Sequence, residues 1–86
     1  MKGYDTLLDF LVEQYDDREF LKADGYDSAC IGFDYKTERL IYSTSKCIKI
    51  LVEGGMSEEE ACEYFQFNTL EAYVGEKTPI FAIDEW

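Results

Sequence analysis

The chain has no histidine, a single proline, and only 8 lysines and arginines against 19 aspartates and glutamates in 86 residues. Each shortage excludes something. Without an imidazole, most zinc sites lose a ligand and proton transfer near neutral pH loses its usual base. A net charge of −11 repels phosphate backbones, so direct nucleic-acid binding is not expected. No apolar run approaches the ~20 residues of a membrane span, and the amphipathic stretch after residue 5 does not read as a signal-peptide core, so no membrane association is expected. Cys30, Cys47 and Cys62 are odd in number, widely spaced and outside any CxxC pattern. They read as small buried hydrophobes of a cytoplasmic protein. Cys47 falls near the first turn of a predicted helix, which weakly favours thiolate, although no imidazole can pair with it.

What is present suits one folded domain. Apolar residues make up 47% and aromatics 16%, too many for a disordered acidic tail. At this length a single domain buries about 60–65% of its unfolded surface, which leaves little volume for a substrate cleft.

Periodicity places the elements. Residues 4–17 read as a helix with Tyr4, Leu7, Leu8, Leu11, Val12 and Tyr15 on one broad face; its phase breaks after Asp17. Residues 28–35 and 39–42 read as strands joined by a short polar connection, most simply an antiparallel hairpin, with Gly32 marking a bulge or a close approach. Ser43 is a credible N-cap for a helix over 44–53, stopped by Gly54-Gly55. Ser57 and Glu60 then form a capping box, with three glutamates complementing the positive end of the helix dipole. That third helix is expected to run to about residue 73. Ala61, Phe65, Thr69 and Ala72 share one face, while Phe67 and Leu70 point elsewhere. Either the helix is sandwiched, the commoner outcome, or Phe67 and Leu70 help form an interface. Residues 80–83 read as a last strand, with Pro79 placed where it costs no ladder bond. The expected fold is a single α+β domain over 1–86, order α-β-β-α-α-β, with a three-stranded, mainly antiparallel sheet covered by helices and the last strand beside the hairpin.

The acids are the conspicuous feature. Residues 50–76 hold seven glutamates and none of the eight basic residues. A solvated face that keeps a small domain soluble explains much of this, as does the capping box. The functional reading is a surface that docks on a basic protein, with Glu58, Glu59, Glu63, Asp16 and Asp17 as candidates. Carboxylates so spread could imitate spaced phosphates. Catalysis is not expected: there is no phosphate loop, HExxH, nucleophile elbow or histidine base, and no cofactor or metal is implied. Most aromatics should be core, with Tyr4, Tyr15, Tyr42, Tyr64 and Tyr73 at its margins and their hydroxyls wet. Asn68 borders an apolar face, where an unsatisfied amide would cost about 1–3 kcal/mol. It is expected to bond the backbone of the 75–78 loop, where Thr78 lies, or else to face a ligand.

The segments Gly55-Met56-Ser57, Glu63-Tyr64-Phe65, Phe67-Asn68, Ala72-Tyr73-Val74-Gly75-Glu76 and Thr78-Pro79-Ile80-Phe81 form a box. Ahead of it stand Asp27-Ser28-Ala29-Cys30-Ile31-Gly32 and Tyr42 with Lys46-Cys47-Ile48-Lys49-Ile50-Leu51. Together these resemble a group of small uncharacterised phage and bacterial proteins over residues 25–83, with 1–24 outside the resemblance. It implies a phage or prophage accessory protein in the bacterial cytoplasm and supplies no catalytic residues. The functional expectation is therefore a non-enzymatic factor that binds a host or viral protein through its acidic helical surface; its sharper form is an anti-defence or nucleic-acid-mimicking inhibitor. The alternative is a self-associating module, a homodimer with Phe67, Leu70 and Trp86 at its seam.

Overall fold

Local sequence sets where each helix begins. The computed structural model describes residues 4–70 and 75–84, residue 70 by its backbone alone. Thr6 caps α1 (Leu7–Gln14) by accepting from the Asp9 N–H at 3.1 Å. Ser43 caps α2 (Thr44–Glu53) by accepting from Lys46, and Ser57 caps α3 (Glu58–Phe65) in the anticipated box. α1 stops three residues earlier than its apolar pattern, so Tyr15 closes the helix instead of extending its face. Only Leu8 and Leu11 of that face are buried; Leu7 and Val12 are exposed.

The hairpin forms as its alternation requires. β1 (Cys30–Asp34) pairs antiparallel with β2 (Arg39–Ser43), and a bulge falls between Cys30 and Gly32. The bulge resets the alternation, so Cys30 and Phe33 both lie opposite the core residues Tyr42 and Leu40. Ahead of β1, residues 27–29 form a 3-10 turn where a strand was expected. β3 (Ile80–Ala82) lies on the other side of β2, but parallel to it, with Ile41 opposite Ile80 and Ser43 opposite Ala82. The sheet is therefore mixed, not mainly antiparallel. The α2–α3 segment is long enough to carry the chain back to the starting end of β2, and such a crossover is what parallel pairing needs.

Parallel pairing has a consequence. It sets the carboxyl ends of β2 and β3 side by side, so Asp84, just beyond β3, meets the first turn of α2. Asp84 accepts from the Ser43 hydroxyl at 2.5 Å and from the Ser45 N–H at 3.1 Å. The Ser43 hydroxyl bond, followed by the Ser45 amide, holds its carboxyl below the usual range. A negative charge there also suits the positive end of α2.

α1 packs on β1, α2 on β2 and the 3-10 turn, and α3 on α2. The core joins Leu8 and Leu11 of α1 to Leu40 and Tyr42 of β2, Cys47 of α2 and Phe65 of α3. Phe65 meets Phe81 of β3 edge-to-face, ring centres 5.3 Å apart, which ties the last strand to the helices. Tyr42 corrects the expectation of a wet tyrosine margin: it is fully buried, and its hydroxyl accepts from the Ala23 N–H at 3.0 Å. Burial pushes that hydroxyl's pKa up to about 12.

At the turn end of the hairpin, Glu38 takes a left-handed backbone conformation (φ +60°), which residues with side chains seldom adopt. Its N–H closes the turn on the Asp34 carbonyl at 2.7 Å. Its carboxylate pairs with Arg18 and, at 3.0 Å, with Lys77, so one residue joins the chain after α1 to the chain before β3. The Lys77 bond leads in holding that carboxyl below its ordinary range.

Candidate functional site

The capping box starts α3 but does not carry it to residue 73. The α-helix ends at Phe65 and continues as a single π-helical turn over Gln66–Leu70. The Asn68 side-chain amide donates at 3.2 Å to the Tyr64 carbonyl, the acceptor an unbroken α-helix would give to the Asn68 backbone N–H. It does not bond the 75–78 loop. Thr69 turns inward, where its hydroxyl and that of Tyr26 are 3.0 Å apart. π turns inside helices are rare and recur at functional sites. Of the face predicted for this helix, Ala61 and Phe65 are buried and Thr69 is partly so; Ala72 and Tyr73 lie outside the described residues.

The turn leaves apolar surface in water. Phe67 is 68% exposed and Tyr64 44% exposed. This corrects the expectation that a sandwiched helix would bury Phe67. Glu60, Glu63, Tyr64 and Phe67 follow the i, i+3, i+4, i+7 spacing of one helix flank. With Met56 and Asn68 they line a depression of about 380 Å³. Glu60 is also the capping-box carboxylate, and its bond from the Ser57 N–H, then the Ser57 hydroxyl, holds its pKa below the ordinary value.

Tyr64 and Asn68 also line a second, adjoining groove of about 440 Å³. Its apolar walls include Tyr26, Leu51, Pro79 and Phe81, and its polar ones Thr69 and Thr78. Two internal bonds shape it. Tyr42 holds the loop at Ala23, and Tyr26 holds the π turn through Thr69. Burial raises the Tyr26 hydroxyl pKa, so it is neutral at pH 7 and can serve as donor or acceptor. Thr78 lines the groove while its own hydroxyl donates to the Gly75 carbonyl at 2.6 Å and its carbonyl accepts from Arg39 Nε at 2.5 Å.

The acidic candidates are dispersed. Glu63 lies on the α3 flank beside the exposed aromatics. Glu58 and Glu59 are exposed in the first turn of α3 but line neither depression. Asp16 and Asp17 are exposed in the turn after α1, an element that packs on β1. Of the proposed self-interface, Phe67 is exposed, whereas the Leu70 side chain and Trp86 lie outside the described residues. Sequence reasoning named Phe67 as a possible interface residue and Tyr64 as a tyrosine at the core margin, but did not join them to Glu60 and Glu63. The i, i+3, i+4, i+7 spacing was the signal that could have done so.

The thiols divide. Cys30 and Cys47 are buried, but Cys62 is exposed, against the expectation for all three. Cys47 does not tend toward thiolate: burial pushes its thiol up to about 12, and the nearby Asp84 charge adds to that. Among the described residues, no group of three or more acidic or sulfur side chains is placed to hold a metal, and no helix is long and apolar enough to cross a membrane. No family model, curated protein or solved structure matches this chain.

Proposed function

We propose that the protein is a non-enzymatic binding module that engages a basic protein through the outer flank of α3 and the π turn. The observation that carries this reading is Phe67, an aromatic exposed over two thirds of its surface and flanked by Tyr64 and the Glu60 and Glu63 carboxylates. A large rigid apolar anchor ringed by charge is the usual anatomy of a protein-binding hot spot. The acids would steer a cationic partner and set its orientation, while the aromatics supply desolvation energy. Glu58 and Glu59 extend the negative field beyond the contact. In a phage or prophage setting, inside a bacterial cytoplasm, the target is a host or viral protein. An inhibitor that fills a nucleic-acid-binding groove is the sharper form of the same proposal.

Self-association is the weaker reading. A two-fold interface centred on Phe67 would bring Glu60 and Glu63 of both copies together, and that repulsion opposes it.

The test is capture of interacting proteins on immobilised chain at about 50 mM and about 500 mM salt, a range over which exposed charge attraction is screened. Wild type is compared with Phe67→Ala and with the triple variant Glu58→Lys, Glu59→Lys, Glu63→Lys, all checked for folding by circular dichroism. A partner retained at low salt and lost with either variant supports the proposal. Capture that ignores salt and both variants would sink it.

A further inference from the structure

Resting on the α3 reading, we infer that the two depressions form one peptide-binding groove, which takes an unfolded basic segment carrying one large apolar side chain. They share Tyr64 and Asn68, so the two depressions adjoin across those side chains. Their chemistries differ. The smaller is edged by Glu60 and Glu63 and has no basic residue among the described residues that line it, which fits a lysine or arginine head group. The larger is walled by Tyr26, Leu51, Pro79 and Phe81, and the two charged residues of its lining, Lys22 and Asp24, are of opposite sign, which leaves the apolar walls for a leucine or aromatic side chain. At about 440 Å³ it falls within the ~300–1,000 Å³ range of ligand sites.

Asn68 sits at the junction. Its bond to the Tyr64 carbonyl uses one of the amide's two N–H groups, and no bond to its carbonyl oxygen is present among the described residues. A side-chain amide can pair with a peptide unit as both donor and acceptor, so Asn68 is placed to hold the ligand's main chain between its charged and apolar side chains. The occupant follows from this complementarity. It is a cationic segment, because the acidic end has no counter-ion in its lining among the described residues, and it has an apolar anchor, because the other end is walled mainly by apolar side chains.

The probes are fluorescein-labelled peptides with two arginines and one tryptophan in a glycine–serine background, the separation scanned from zero to five residues. Controls replace the tryptophan, or both arginines, by alanine. Binding is followed by fluorescence polarisation and by the backbone amide resonances of Phe67, Asn68 and Thr69. The expected result is one preferred separation that binds at least about tenfold tighter than either control. Asn68→Arg should weaken it tenfold or more, and Glu63→Lys about three- to tenfold. Asn68 and Glu63 are exposed, so neither variant disturbs the core. Because Asn68→Arg also removes the bond to the Tyr64 carbonyl, circular dichroism checks the fold and the Thr69 amide resonance checks the turn, with Glu63→Lys as the variant that leaves the turn's bonds in place. Equal binding of the arginine-only peptide would overturn the groove while leaving the acidic surface intact. No peptide binding, alongside capture of a folded partner that the charge reversals abolish, would overturn the inference but not the function proposed above. A dimer in sedimentation that Asn68→Arg dissociates would assign the groove to a second copy and overturn it too.

Discussion

The turn end of the hairpin and the outer flank of α3 treat charge in opposite ways. At the hairpin, cations are consumed internally: Arg18 and Lys77 converge on Glu38, Arg39 donates to the Thr78 carbonyl, and Lys77 donates to the Thr37 carbonyl at 3.2 Å. Tyr15, Phe33 and Tyr35 all lie within 6.0 Å of the Arg18 guanidinium, so even its faces are used. On α3, Glu60 and Glu63 stand beside the exposed aromatics, Glu58 and Glu59 lie exposed in the first turn, and there is no lysine or arginine between residues 50 and 76. The first region is tied to itself and the second is left open. A small acidic protein has few cations, and this one uses three to lock its topology, leaving the outer flank of α3 unneutralised.

The contrast predicts where substitutions cost stability and where they do not. Leu8→Ala should cost most, about 2–5 kcal/mol in urea denaturation, because Leu8 is buried to 1% exposure beneath the sheet. A cost below about 1 kcal/mol would show that α1 is an appendage outside the resembling region and not part of the core. Next, an aromatic disulfide reagent should modify Cys62 quickly and Cys30 and Cys47 at least about 100-fold more slowly. That ratio reflects about 2.7 kcal/mol of protection by closed structure. Equal rates at all three would deny the buried–exposed division.

Ser43→Ala should cost about 1–2 kcal/mol, since it removes the α2 cap and the donor to Asp84 together. The same contact gives a pH dependence. Asp34, Glu38, Glu60 and Asp84 all have pKa values lowered in the folded state, by bonds from Thr37, Lys77, Ser57 and Ser43 respectively. Groups lowered in this way stabilise the fold above their unfolded pKa, and that contribution disappears as pH falls through the folded value. The urea midpoint should therefore be level around neutrality and drop below about pH 4.5, less steeply in Ser43→Ala. At the alkaline end the signs reverse. The raised pKa values of Cys47 and Tyr42 favour folding below the ordinary thiol and phenol range, and stability should fall as pH climbs toward about 12.

The smallest effect belongs to the open flank. Glu58→Lys and Glu59→Lys should each change stability by no more than about 0.5 kcal/mol, because both side chains are exposed in the first turn of α3. A large loss in either would move α3 into the tied half of the comparison.

Local signals carried the elements because caps, turns and periodicity act within a few residues. Ser43, Ser57 with Glu60, and the bulge at Gly32 were all legible for that reason. Thr6 was legible too, since a cap three residues ahead of Asp9 is an ordinary signature, but the apolar phase beginning at Tyr4 concealed it. Asp84 could not be read. Its partner Ser43 is 41 residues away, and only the parallel register of β3 brings the two together. Glu38 was equally opaque, because its role depends on Arg18 and Lys77 from opposite ends of the chain.

The absence of histidine and the excess of acid were set by composition alone, and so was the repulsion of phosphate backbones. The order of helices and strands was nearly so, through short-range hydrogen bonding and side-chain alternation. Tertiary structure decided the direction of β3, which depends on where a long crossover returns the chain. It decided which thiols are buried, and burial raises the pKa of Cys30 and Cys47. It also decided which side of α3 faces water. A π turn held by Asn68 on the Tyr64 carbonyl, and by Thr69 on Tyr26, leaves Phe67 outside and places a groove beside it. A helix's periodicity says which residues share a face, but only its neighbours determine which face is covered.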